Sequence, residues 1–150
     1  MTGGTAWESV LAARDPARAA YVSELEALAA RLGIADALAI TPPTDAIARA
    51  YAASDLVLQL SHKPEAFGRT VLEALSAGRP VIGWDHGGVG EQLRALWPAG
   101  AVPAFDADAL RLRTREAIAR PVAPAVTMPY TLRAMQEATL SLYDELVRNR

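Results

Sequence analysis

The sequence predicts an α/β fold, with a parallel, doubly wound sheet flanked by helices. Three observations predict it. The apolar runs Leu38–Thr41, Leu56–Leu60 and Pro80–Trp84 are continuous rather than alternating, as in strands covered on both faces. Stretches with helical spacing separate them. Glycine or proline punctuates most of the joins. With 150 residues, 51% of them apolar, the chain has enough material for one domain with a core.

Taken in order, residues 1–6 read as a loose end. Ala20, Val22, Leu25, Leu28, Ala29 and Leu32 share a helical face between Ala17 and Leu32, and Gly33 stops that helix. Leu38–Thr41 reads as a strand broken by Pro42-Pro43. Thr44-Asp45 is expected to cap a helix through about Tyr51. Leu56–Leu60 is the strongest candidate for a buried strand. A loop from Ser61 to Phe67 leads to a helix over Gly68–Ala77 that ends at Gly78. Pro80–Trp84 is the next strand, followed by a loop to Gly88 and a helix to about Leu96. Ala101–Phe105 reads as a last short strand. Asp106 caps a helix reaching Arg120, and an amphipathic helix spans about Leu132 to Val147.

Composition excludes several classes. Arginine and lysine number 15 against 17 acidic residues, a net charge of −2, so no basic field points to nucleic acid. Cysteine is absent, which removes disulfides, thiolate metal sites and cysteine nucleophiles. No apolar run approaches the roughly 18 residues of a membrane span. The first residues lack the charged and apolar regions of a signal peptide. A cytoplasmic protein is the expectation.

Ligands of such sheets bind outside the carboxyl ends of the strands. The loops after Leu60 and after Trp84 are therefore the places to search. The first carries Glu65-Ala-Phe-Gly-Arg-Thr-Val-Leu-Glu73. A helix N-terminus offers unpaired N–H groups and partial positive charge. Gly68 admits a ligand to the backbone. The combination suits phosphate. Arg69 and Thr70 add donors, while Glu65 and Glu73 can each accept from paired hydroxyls. Phosphate between two hydroxyl-rich groups describes a nucleotide sugar.

Glu, seven residues, Glu resembles the signature of the family-4 retaining glycosyltransferases, which have the GT-B architecture. Ala53-Ser54-Asp55 with its strand and Ser61, Glu73-Ala-Leu-Ser-Ala-Gly-Arg-Pro-Val-Ile82 and Gly87-Gly88-Val-Gly-Glu91 extend the likeness. It is strong over about 40 residues and extends loosely from Tyr21 to the C-terminus. It implies a Rossmann-like donor domain, the C-terminal half of a GT-B enzyme, with residues 1–150 as one partial domain. It further implies that Glu65 is the catalytic-site carboxylate holding donor-sugar hydroxyls. The amides of Ala66, Phe67 and Gly68 line sugar and phosphate, Arg69 and Thr70 meet the diphosphate through backbone N–H groups, and Glu73 holds the ribose. Gly87-Gly88 lets the next helix pack close to the pocket, with Glu91 near its start. No metal or other cofactor is implied; the nucleotide sugar is substrate. In the full-length enzyme a position at the inner face of the membrane is implied.

Bland alternatives stand beside these. Asp106-Ala-Asp108 has the form of a metal motif, but an Asp just before a helix is ordinarily its N-cap. His62 and His86 occupy adjacent strand-end loops, where histidine is ordinarily solvated; His86, beside the glycine pair, is the one expected at the ligand. Lys63 reads as solvent-facing. Trp7, Trp84 and Trp97 read as packing residues, of which only Trp84 is placed to line a site.

The sequence also departs from the family. The Arg and Lys that clamp the diphosphate near the domain's first strand have no equivalent before Ala17, and the acceptor-binding N-terminal domain has no counterpart. Gly3-Gly4 reads as a remnant of the second strand's end. The usual order 3-2-1-4-5-6 then makes Leu38–Thr41 strand 3 and Leu56–Leu60 strand 4. Strand 4 is expected to present an open apolar edge, inviting self-association or a partner chain, unless strand 3 pairs with it directly. The leading expectation is donor binding for retaining glycosyl transfer to a saccharide or lipid-linked acceptor, without activity in this chain alone. The rivals are a non-catalytic interaction module on the same scaffold and a GT-B sugar epimerase, whose carboxylate and histidine pattern is not recognisable here.

Overall fold

The computed structural model describes residues 15–149. The expected loose end at 1–6, Gly3-Gly4 and Trp7 lie outside the described residues. The chain divides into two compact units between Asp45 and Ala46. In the first, α1 spans Pro16–Arg31. Asp15 caps it by accepting from the Arg18 amide at 3.0 Å, and proline occupies the first turn, where a missing N–H costs nothing. Its end is the expected one: Gly33 donates to the Ala30 carbonyl and Ile34 to the Ala29 carbonyl, which satisfies two orphan acceptors. Only part of the expected apolar face is covered. Val22 and Ala29 are buried, whereas Leu28 and Leu32 are exposed.

Leu38–Thr41 forms no strand, which corrects the expectation and removes direct pairing with the next strand. The cause is local. A short 3-10 turn over Ala35–Ala37 takes the Leu38 amide onto the Ala35 carbonyl, and Pro42-Pro43 then supply no donors for a ladder.

In the second unit, α2 (Ile47–Ala53) starts at Ala46 without a side-chain cap, rather than at Thr44-Asp45. There follow β1 (Val57–Gln59), α3 (Arg69–Ser76), β2 (Val81–Trp84), α4 (Gly87–Leu96), a 3-10 turn at Pro98–Gly100, β3 (Ala101–Val102), α5 (Ala107–Ala119) and α6 (Leu132–Arg148). The three strands form an open parallel sheet in the order β1-β2-β3. Val57 pairs with Val81 and Gln59 with Gly83; Gly83 then pairs with Ala101 and Trp84 with Val102. Parallel pairing follows from the helices that connect the strands.

β2 is central and wholly buried, and its alternation builds two cores. Val81 faces α3 and α4, where it joins Val71, Ala74, Leu75, Val89 and Leu93. Ile82 and Trp84 face the other way and join Val102, with Leu110 and Ala117 of α5 packed against them. Helices thus cover both faces of the sheet. With Leu38–Thr41 forming no strand, β1 is the edge of the described sheet, as expected for a strand 4 without its neighbours, and Leu58 is half-exposed there rather than buried. A run rich in apolar residues signals the strand but not its place in the order. The Asp106 cap is as expected, accepting from the Ala109 amide at 2.9 Å, while Asp108 pairs with Arg111. No helix among the described residues is long and apolar enough to cross a membrane.

Leu93, on α4, is completely buried against α3 and the sheet. Leu93→Ala is expected to lower unfolding free energy by about 2–5 kcal/mol. Leu58→Ala, at the exposed edge, is expected to cost under about 1 kcal/mol. Chemical denaturation of both variants measures the difference; equal losses would contradict the layering.

Candidate functional site

The site begins with a backbone conformation. Gly68 caps α3 at φ +76, in the left-handed region that a side chain disfavours. This turns the end of the loop that follows β1 into the first turn of α3. Val71 donates back to the Gly68 carbonyl at 3.0 Å. The amides of Arg69 and Thr70, first in the helix, have no intrahelical acceptor by helix geometry.

Loop 64–68 lies directly on the first turn of α4. The Gly88 amide donates to the Glu65 carbonyl at 2.7 Å. A Cβ on Gly88 would fall 2.6 Å from both Cα and N of Phe67, and one on Gly68 would fall 3.0 Å from Cα and N of Val89. These neighbours are backbone atoms and cannot rotate away. Gly87-Gly88 therefore serves a contact between two loops' backbones, and the Gly88 N–H is spent on that contact.

The two carboxylates flank this turn. Glu65 Oε1 accepts from Gln59 Nε2, at the end of β1, and from Ser61 Oγ at 3.2 Å. Glu73, one turn into α3, accepts from Tyr51 of α2 at 3.1 Å and from Arg69 at 2.9 Å. The Arg69 side chain, 81% exposed, lies along its own helix toward Glu73, leaving its backbone amide at the turn. Burial, then the hydrogen bond to Glu73 and its charge, raise the Tyr51 phenol above its ordinary value of 10.0. Tyr51 is thus a neutral donor that orients Glu73. A groove of about 760 Å³ runs here, lined by Tyr51, Phe67, Arg69, Glu73, Met128 and Tyr130 among others. Phe67 meets Tyr130 edge to face across it, with ring centroids 5.4 Å apart. Glu65 does not line this groove. A second cavity, about 740 Å³, lies by Pro80 at the amino end of β2 and holds none of the expected residues.

His86 starts α4 without capping it through its side chain. Its Nε2–H donates to the Ser61 carbonyl at 3.0 Å, joining the loops after β1 and β2. Glu91 is exposed one helical turn beyond Gly87, on the same face. Ala66 and Phe67 are exposed and Thr70 half-buried. Lys63 is exposed, as expected. Trp84 and Trp97 both pack in the cores.

Sequence reasoning missed Phe105 and Tyr51. Phe105 follows β3 at φ 65, the one non-glycine positive φ among the described residues. Its ring stacks on His62 (5.3 Å, 14°), meets His86 edge-on (5.5 Å, 85°) and tilts against Trp84 (5.9 Å). The left-handed backbone costs about 1–2 kcal/mol, and aromatic pairs return about 0.5–1.5 kcal/mol each. No residue type in Pro103-Ala-Phe-Asp106 announces that conformation. Among the described residues, no three His, Asp or Glu side chains gather as metal ligands.

A left-handed glycine opening a helix, two flanking carboxylates and a glycine pair under the loop form one connected arrangement at the sheet's carboxyl edge. Residues 18–128 match the family profile described as Glycosyl transferases group 1. The chain belongs to this family. It is 39% identical over 94 residues to the D-inositol 3-phosphate glycosyltransferase of Geodermatophilus obscurus, covering 59% of this chain and 21% of that protein. It is 43% identical over 70 residues to the protein of the same name from Rhodococcus opacus, covering 45% and 16%. With the Actinosynnema mirum protein, also of that name, the figures are 39% over 93 residues, 58% and 22%. The chain thus spans about a fifth of the length of these relatives. A group 1 glycosyltransferase domain agrees with an α/β unit whose expected site residues gather at the N-termini of α3 and α4.

Two outcomes test the geometry. Gly88→Ala forces a backbone clash with Phe67 and is expected to cost about 1–3 kcal/mol, with faster amide exchange in residues 65–70. A neutral Gly88→Ala would contradict the contact. For Tyr51, a raised phenol value means its contribution is fully present below pH 10 and is lost as pH rises through the native value. The stability gap between wild type and Tyr51→Phe should therefore hold to about pH 10 and shrink above it. A gap that widens there would contradict the Tyr51–Glu73 bond.

Proposed function

We propose that this chain is the donor-binding part of a family-4 retaining glycosyltransferase that takes a nucleotide-diphosphate sugar. The observation that carries it is the start of α3, where left-handed Gly68 presents a turn with Glu65 on one side and Glu73 on the other. The diphosphate sits at the amides of Ala66–Thr70, where the helix start favours anions. Glu73, already oriented by Tyr51 and Arg69, takes the ribose hydroxyls. Glu65, oriented by Gln59 and Ser61, takes hydroxyls of the sugar. His86, Gly87, Gly88 and Glu91 form the facing wall.

During transfer the bond between the anomeric carbon and the leaving phosphate oxygen breaks, the acceptor hydroxyl oxygen bonds to that carbon on the same face, and the hydroxyl proton passes to the leaving diphosphate. The electron pair stays on the diphosphate, and fixed amides at Arg69 and Thr70 stabilise that charge. No metal has a role in this scheme. The acceptor is a saccharide or lipid-linked sugar, and its binding surface belongs to an N-terminal domain or a partner chain. The enzyme works in the cytoplasm, at the inner face of the membrane when full-length.

One observation favours a second function. α6 has no buried residue and exposes Leu132, Met135, Leu142 and Leu146 along one side, as an interaction module would. Calorimetry separates the two. The chain is expected to bind UDP or GDP sugars, with Glu73→Ala reducing affinity for nucleotide and nucleotide sugar alike by about tenfold or more. Glu65→Ala should weaken only the sugar-bearing form. No binding by the wild-type chain would favour the interaction module, and equal losses in Glu65→Ala would refute the role given to that residue.

A further inference from the structure

We infer that Phe105 is a positioning residue that holds the Glu65 carboxylate at the sugar end of the donor site; its role in transfer rests on the donor-site function proposed above. Phe105 occupies a left-handed backbone conformation with no glycine to make it easy. The residue is 53% exposed, so burial gives a poor return for that strain. What the ring does have is contacts to three fixed points. Trp84, 7% exposed and set in the core, is the wall behind it. His62 stacks on it from the loop after β1, and His86 meets it from the loop after β2. One ring thus ties together the three loops that leave the three strands.

The connection to Glu65 is continuous. Phe105 fixes the imidazole of His86, whose Nε2–H holds the Ser61 carbonyl at 3.0 Å. Ser61 in turn donates its hydroxyl to Glu65 Oε1 at 3.2 Å, on the same oxygen that Gln59 holds. The free oxygen of that carboxylate is thereby aimed by a chain that ends at Phe105. A ring needed only for packing would lie in a core; this one lies half-exposed over the strand ends, where a donor's sugar is to be received.

Phe105→Gly removes the ring and relieves the backbone, so the two effects on stability oppose each other. Its melting temperature is expected within about 4 °C of wild type. In the ligand-free chain, NMR of labelled protein should show the Glu65 carboxyl carbon shifted and the His86 Nε2–H signal lost to water exchange. With UDP, GDP and their glucose, N-acetylglucosamine and mannose conjugates as probes, calorimetry should show affinity for the bound conjugate falling about tenfold, and for the bare diphosphate by under about twofold. Phe105→Tyr should restore both signals and affinity. Unchanged Glu65 and His86 signals in Phe105→Gly would overturn the proposal, as would an equal loss for conjugate and bare diphosphate. If the wild-type chain binds no probe, the donor function fails; the ligand-free spectra still decide whether Phe105 sets Glu65.

Discussion

The site depends on one backbone contact, the seating of loop 64–68 on the first turn of α4. The Gly88 amide to the Glu65 carbonyl holds it, and the missing side chains of Gly68 and Gly88 permit it. Core packing of Val71, Ala74 and Leu75 seats α3 on the sheet, and that contact fixes the loop leading into its first turn. With it, the start of α3, the end of β1 and the start of α4 become one rigid corner. The hydrophobic cores explain why the corner is stable. Val71 and Val89 lie just inside it and are both buried, so the corner sits on packed side chains rather than on solvent.

Around that corner the polar groups divide into two linked sets. On the sheet side, Gln59 and Ser61 converge on Glu65, and His86 holds the Ser61 carbonyl. On the helix side, Tyr51 and Arg69 converge on Glu73. Each carboxylate is held from outside, which leaves part of its accepting capacity for a ligand and reduces the ordering needed on binding. Exposed ion pairs such as Arg69–Glu73 add little stability, so orientation is their contribution.

Much of this was legible in the sequence, for physical reasons. Gly33 and Gly78 end helices because left-handed caps strongly favour glycine, and Asp106 caps α5 because an Asp there meets open amides. The Glu65–Glu73 segment was legible because local chemistry, a glycine before a helix and two carboxylates, is written consecutively. Other features depend on partners far along the chain. Leu38–Thr41 has strand composition, yet a ladder needs a neighbour, and its own turn took the Leu38 amide. The open edge at β1 was legible from the missing neighbouring strands, and Leu58 is half-exposed there although its run reads as a buried strand. Tyr51 reaches Glu73 across 22 residues, and Phe105 reaches the histidines of two earlier loops, through contacts that carry no local pattern.

The central claim is that the amides opening α3 face a diphosphate. Amide chemical shifts across the chain, recorded as UDP and GDP are titrated in, test it most directly. The largest changes are expected at residues 66–70, with smaller ones at 86–88. Changes centred instead on the cavity beside Pro80, Arg113 and Arg120, with residues 66–70 silent, would contradict it.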